Sequence, residues 1–266
     1  MRLVPDELWD LVRPLLPVFV RRPQGGGTAP ADERAVFAAV VFVLTSGCAW
    51  RHVPPSFGVS PATAHRRFTV WTEAGLWRLL HRAVLDELGA RGGLDWASAI
   101  VDAASVRAKK GGALTGPNPV DRGKPGSKLH VLSDAQGIPV VVGVSAANTN
   151  DVLALKPLVR GIPAVRSRRG PRRRRPGKLR ADKAYHSADN RVWLRERGIA
   201  VRIARPGIES SERLGRHRWK IERTIAWLLG YRRLTVRYER KGSHFLAFLG
   251  LAAALTCYKK LTKLTT

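Results

Sequence analysis

Asp182 closes the short strand-like run LRAD in a chain crowded with positive charge, between Arg180 and Lys183. A carboxylate in that setting has two readings. One is a surface ion pair, worth about 0–1 kcal/mol; the other is a metal ligand, and a ligand needs partners. Asp102 closes the apolar run ASAIVD. Glu222 lies midway along RHRWKIERTIAWLLG, where Ile221, Ile225, Leu228 and Leu229 form the apolar stripe of a helix and Glu222 falls beside it. If the strands ending at Asp102 and Asp182 are neighbours, both carboxylates emerge at one edge of a sheet, and the helix brings the third. Oxygen-only ligands of this kind suit Mg²⁺ or Mn²⁺. Two such ions, about 4 Å apart, would clamp the attacking and leaving oxygens of an in-line phosphoryl displacement. Spacing alone does not choose between isolated ion pairs and one metal centre.

Other titratable residues have structural readings. Asp134 sits at a hairpin turn, a routine place for Asp, and Asp151 follows Asn150 at the head of a helix, where it reads as an N-cap. Asp189 and Glu196 belong to a polar, solvated helix. His130 and His186 could approach the cleft but read first as satisfied structural histidines.

The elements that must position these residues follow from pattern. The part up to about residue 92 is helical: PDELWDLVRPLLP has helical spacing, RRPQGGGTAP (21–30) is a flexible loop, and a long apolar helix runs from about Asp32 to Thr45 and stops near Gly47. After a turn-rich stretch, Ser60 and Pro61 open a helix that continues to about LDELG, with Thr63, His65, Arg66 and Arg67 early and Phe68, Trp71 and Leu76 toward a core. This is the outline of a helix-turn-helix element, or of an ordinary bundle with a solvated basic face. ARGGLDW (90–96) is a linker, and beyond it the pattern turns to strands. A short strand ends at Asp102, a hairpin turns at residues 134–137, and helix, strand, helix, strand and helix follow, so the expected core is a mixed α/β sheet with helices on its faces. RSRRGPRRRRPG (166–177) is an arginine-rich loop expected to stay mobile until it meets an anion.

Composition narrows the partner. The 266 residues hold 47 Lys plus Arg against 20 Asp plus Glu, a formal net charge of +27. A compact chain with that excess repels itself unless a polyanion shares its surface; nucleic acid is the first candidate, and an anionic membrane or a ribosome satisfies the same electrostatics. Cys48 and Cys257 stand far apart in apolar segments, which suggests neither a disulfide framework nor a Cys metal site and fits a reducing cytoplasm. No basic-then-apolar leader opens the sequence. The apolar runs 35–44 and 245–255 fall short of the roughly 20 residues that span a bilayer and read as core helices.

Four blocks, IVDAASVRAKKGG, GKPGSKLHVLSDAQGIPV, LRADKAYHS and RHRWKIERTIAWLLGYRRLTVRYE, in this order, resemble bacterial insertion-sequence transposases with a DDE catalytic triad on an RNase H-like fold. GCAWRHVPPSFG and HRRFTVWTEAGLW resemble the helical DNA-binding region ahead of that core, so the resemblance covers most of the chain. It implies an α/β fold, with a helical helix-turn-helix-like domain over 1–92 and an RNase H-like domain over 93–266. The triad of the family falls on Asp102, Asp182 and Glu222, as catalytic residues and ligands of two Mg²⁺ or Mn²⁺ ions. Arg218, on the same helix face four residues before Glu222, matches the signature arginine. The signature's tyrosine and lysine do not occur; those offsets hold Gly215 and Leu229. Arg232 and Arg233 are the expected substitutes for the lysine's phosphate contact.

The activity implied is transposition: binding of the element's terminal inverted repeats, metal-dependent cleavage of the ends, and attack of the freed 3′ hydroxyl on target DNA. Recognition falls to the N-terminal helices, Arg66 and Arg67 first. The partners implied are double-stranded DNA and at least one further copy of the chain, with no membrane. Trp219 and Trp227, flanking Glu222, read as core residues or as a stacking platform for an unpaired base at a DNA end. Two other functions remain: a DNA-binding protein that has lost cleavage, and a nuclease that only hydrolyses.

Overall fold

The computed structural model describes residues 3–18, 31–205 and 211–264, with 211–218 described by backbone alone. The expected loop over 21–30 lies outside them. In the N-terminal part, α1 (Asp6–Val12) buries Leu8 and Val12. Helix α2 (Glu33–Ser46) starts where the Asp32 side chain accepts from the Arg34 N–H and stops at Gly47, which is left-handed at φ 73°. Helix α3 (Pro61–Glu73) opens as its sequence dictates, with the Ser60 hydroxyl oxygen accepting from the Thr63 N–H at 3.1 Å and Pro61 in the first turn. It does not continue to residue 89. Gly75, at φ 74°, breaks it, and α4 (Leu76–Ala90) sets off separately; only glycine adopts that backbone without strain. The link between α2 and α3, residues 47–60, carries two short 3₁₀ turns, longer than the about 3–4 residues of a compact helix-turn-helix.

The remaining elements are β1 (Ala99–Ala108), β2 (Gly116–Pro117), β3 (Pro125–Ser133), β4 (Pro139–Ala146), α5 (Asp151–Arg160), β5 (Lys178–Ala181), α6 (Ala188–Glu196), β6 (Ala200–Ile203), α7 (Ser211–Leu229), β7 (Val236–Arg237) and α8 (Gly242–Thr262). Strands β4, β3 and β1 form an antiparallel meander, and β5 and β6 extend it in parallel from the other flank of β1. Short β2 pairs the start of β3, and β7 pairs the end of β1. Three antiparallel strands followed by two parallel ones, with crossover helices between, is the expected RNase H-like mixed sheet.

Strand β1 does not end at Asp102. It runs on to Ala108 because residues 100–107 pair along the length of β3. Its other flank is discontinuous: β5 pairs only Ala99 and Ile100, and β7 joins at Arg107. Asp102 therefore lies where the neighbouring parallel strand stops.

The helices and the sheet share one continuous core. Helix α8 passes through it, packing on α4 and β4, and Phe248 stacks on Phe68 of α3 at 4.6 Å between ring centroids. By length and composition α8 could cross a membrane, but 78% of its most apolar window is buried inside the protein, as expected of a core helix.

Candidate active site

Asp102 and Asp182 are brought together by strand register. Ile100 of β1 and Arg180 of β5 are the last paired positions of the two strands, and Asp102 and Asp182 each follow them by two residues. Asp102 Oδ1 accepts the Ala103 N–H at 2.8 Å. Asp182 Oδ1 accepts the Ala184 N–H at 2.9 Å, capping the 3₁₀ turn Lys183–Tyr185. That turn carries Tyr185, whose hydroxyl feels the charges of Asp151, Asp102 and Asp182. Its ring is buried, its hydroxyl has no hydrogen-bond partner among the described residues, and burial together with Asp151, Asp102 and Asp182 pushes its ionisation far upward. Tyr185 was missed in sequence; its position one 3₁₀ turn after Asp182 is the signal that could have found it.

Glu222 comes from α7, which packs across β1 and β3. The helix is fastened to the hairpin turn by Lys220, Arg223 and Thr224, which donate to the carbonyls of Ala135, Gln136 and Gly137 at 2.9, 2.6 and 2.5 Å. Ile221, Thr224 and Leu228 are buried and Glu222 is exposed on the flank. Among the described residues no three His, Cys, Asp or Glu side chains form a group able to hold a metal ion. The paired aspartates fit a hard cation by donor type and by register, and Glu222 is not gathered with them. The side chain of Arg218 lies outside the described residues.

The expected DNA-binding arginines divide. Arg66 and Arg232 are exposed. Arg67 is only 12% exposed, ion-paired with Glu33 and set over the Trp71 ring, so it ties α3 to α2. Arg233 is a correction: it is buried, bonded to Glu239 at 2.7 Å and to the Cys48 carbonyl at 2.7 Å. A guanidinium committed on two sides inside the core holds the segment after α7 against the end of α2 and does not reach a phosphate. The arginine-rich loop is likewise folded, not loose. Val165 and Arg173 exchange backbone bonds at 2.8 and 2.7 Å, and Asp86 of α4 accepts from the Arg166 N–H and the Arg172 guanidinium, both at 2.8 Å.

Trp219 and Trp227 are not core residues. Both are exposed, and the Arg223 guanidinium lies between their rings, 4.7 and 4.6 Å from the centroids. Asp134 is structural as expected, accepting two backbone N–H groups of the hairpin, from Gln136 and Ile138, and a third from Asp95 before β1. The cap of α5 is Asn150, not Asp151; Asp151 pairs with Lys128 at 2.9 Å beside Tyr185. His130 is buried and bonded to the Ser145 hydroxyl, with its pKa lowered to about 4 chiefly by burial. Asp189 pairs with Lys156 and Glu196 lies near Arg197, both at the surface.

Comparison with known proteins bears on this geometry. Residues 4–81 match the family described as "Putative transposase of IS4/5 family", and residues 98–257 match "Transposase DDE domain". The chain is 45% identical over 149 residues, 56% of its length and 71% of the relative's, to the "Putative transposase for insertion sequence element IS402" of Burkholderia cepacia. It is 39% identical over 119 residues, 44% of its length and 81% of the relative's, to the "Insertion element IS402 uncharacterized 16.2 kDa protein" of the same organism. Among solved structures it aligns with a pre-cleavage Mos1 transpososome at 10% identity and a TM-score of 0.28, covering 91% of this chain and 82% of that one. It also aligns with a Mos1 transposase paired-end complex at 12% and 0.27, covering 90% and 81%. Likeness that low says nothing of the site. The family match rests on more than half of the sequence and takes in Asp102, Asp182 and Glu222, and by it the chain belongs to the DDE-domain transposases.

Proposed function

We propose that the chain binds the terminal inverted repeats of an insertion sequence, cleaves the ends and joins each freed 3′ hydroxyl to target DNA. The observation that supports this reading is the register of β1 and β5, whose last pair, Ile100 with Arg180, lies two residues before Asp102 and before Asp182. Asp102, Asp182 and Glu222 are the proposed catalytic residues and ligands of Mg²⁺ or Mn²⁺. When bound, the ions would lower the barrier to in-line displacement at a phosphate by stabilising the entering and leaving oxygens. The protein holds the two aspartates by their backbone bonds and fastens α7, which carries Glu222, to the hairpin turn. Arg66, Arg218 and Arg232 are the proposed phosphate contacts. The exposed Trp219, Arg223 and Trp227 ladder offers ring faces to an unpaired base. The helical part (1–92) serves recognition and the sheet (93–266) serves chemistry, and the working form holds two element ends and is at least a dimer.

The test is strand transfer of a labelled, pre-cut element end into plasmid DNA with Mg²⁺ or Mn²⁺. Asp182→Asn and Glu222→Gln are expected to bind the end and fail to join it. Joining by both variants at the rate of the unaltered chain would overturn the site assignment, and end binding without joining by the unaltered chain would favour a DNA-binding protein.

A further inference from the structure

The open face of β5 and β6 carries cations that the proposed cleavage site does not use. Along these strands Leu179, Ala181, Val201 and Ile203 are buried, while Lys178, Arg180 and Arg202 alternate onto the other face. Arg180 and Arg202 are directly paired across the strands, and like charges opposite one another destabilise a sheet. Arg180 Nε is buried with no hydrogen-bond partner among the described residues. Two guanidiniums side by side, with no ion pair to an acid at either among the described residues, suit an anion.

The arginine-rich loop lies at one end of this row. It leads directly into Lys178, and Gly177 is fastened to the Trp96 carbonyl at 2.8 Å. Asp86 and Glu87 neutralise Arg166 and Arg172. Arg168, Arg169, Arg173 and Arg174 make no ion pair with an acid among the described residues. Arg168, Arg169 and Arg173 line a cavity of about 370 Å³ with Trp96 and Gly89. Gly89 is required there, since a Cβ would lie 2.0 Å from the Arg166 carbonyl oxygen. Asp182 lies past the other end of β5, whose four residues span about 13 Å at about 3.3 Å each.

We propose that the loop cations and the Arg180–Arg202 pair form one track for backbone phosphates of DNA, running along the open face of β5 and β6 away from the carboxylate edge. Guanidinium groups suit phosphate because their planar fork matches it with two parallel bonds. The track rests on the DNA-processing reading of the chain and adds a contact surface apart from Arg66 of α3.

The test measures affinity against salt concentration for the full chain, for Arg180→Gln with Arg202→Gln, and for Arg168, Arg169, Arg173 and Arg174 all changed to Ala. Two duplexes are used: an element end with its flanking DNA, and an unrelated plasmid segment. Each lost phosphate contact makes the slope of log affinity against log salt shallower by about 0.9, and both variants are expected to show this. A change with the first duplex alone assigns the track to element DNA, with the second alone to target DNA, and with both to either. Unchanged slopes with both duplexes, in variants whose melting temperature has not fallen, overturn the track. Strand joining by the unaltered chain is scored separately. Shallower slopes without joining would leave the track standing and reject the transposition chemistry, and joining with unchanged slopes would reject the track alone.

Discussion

Asp134 and Asp182 each follow a strand and precede a tight turn, yet their surroundings use the carboxylate in opposite ways. Asp134 is 2% exposed. Its Oδ2 accepts the Asp95 N–H at 2.8 Å, and its Oδ1 accepts the N–H groups of Gln136 and Ile138 at 2.9 and 2.7 Å. Burial pushes its pKa up to about 6, against the pull of those donors. Asp182 is half-buried, caps a 3₁₀ turn through Oδ1 and, like Asp102, lies two residues past the last pair of β1 and β5. An acid whose two oxygens are taken by backbone donors shapes a turn. An acid that gives one oxygen to a cap, beside a second acid at an interrupted strand flank, keeps acceptor capacity for something outside the chain.

Substitution at the two aspartates should separate chemistry from folding. Losing a ligand to an ion worth several kcal/mol of transition-state stabilisation predicts that Asp182→Asn slows joining about a thousandfold or more, with little change in the midpoint of urea unfolding. The same contrast among arginines gives the next largest effect. Arg233→Ala strands the buried Glu239 carboxylate and should cost about 3–5 kcal/mol of stability by chemical unfolding, whereas exposed Arg232→Ala should leave stability unchanged and alter only DNA affinity. Equal stability of the two variants would remove the distinction. Smaller again is Asp134→Asn, which sets an amide N–H₂ against one of the backbone donors and should cost about 1–3 kcal/mol while joining per folded molecule is retained.

These contrasts also mark what was legible in the sequence. Ser60 with Pro61 fixed a helix start, and the Asp134–Gly137 turn with its β-branched flanks fixed the hairpin, because a cap and a turn depend on residues a few positions apart. That a strand leads into each of Asp102 and Asp182 was readable for the same reason, whereas the end of the first strand was not. Distant partners were not. Strand β1 continues past Asp102 because β3 pairs with it, and the arginine loop is folded because Asp86, 80 residues before Arg166, anchors it. Arg233 and Arg232 are adjacent in sequence, and only the packing of Glu239 and Cys48 separates a core residue from a surface one. Trp219 and Trp227 looked like core by residue type, whereas Arg223 between them gives their rings a partner at the surface.

The pH dependence of stability offers a finer test of the Asp134 environment. Its ordinary pKa is 3.8 and its folded one about 6, so between these values the folded chain holds a proton that the unfolded chain has released. Stability from this group is fully present below about pH 4 and falls as pH rises to about 6, after which it is level. Buried His81 and His130, with pKa values lowered to about 4, act in the opposite sense over much of the same range, because the unfolded chain takes up protons that they refuse. The two effects mask each other in a single unfolding curve. The stability of the unaltered chain minus that of Asp134→Asn, measured by urea unfolding between pH 4 and 7, removes the histidines from the comparison. That difference should shrink as pH rises through the window, and a flat difference would mean that the three backbone donors offset the cost of burial and hold Asp134 ionised like an ordinary surface acid.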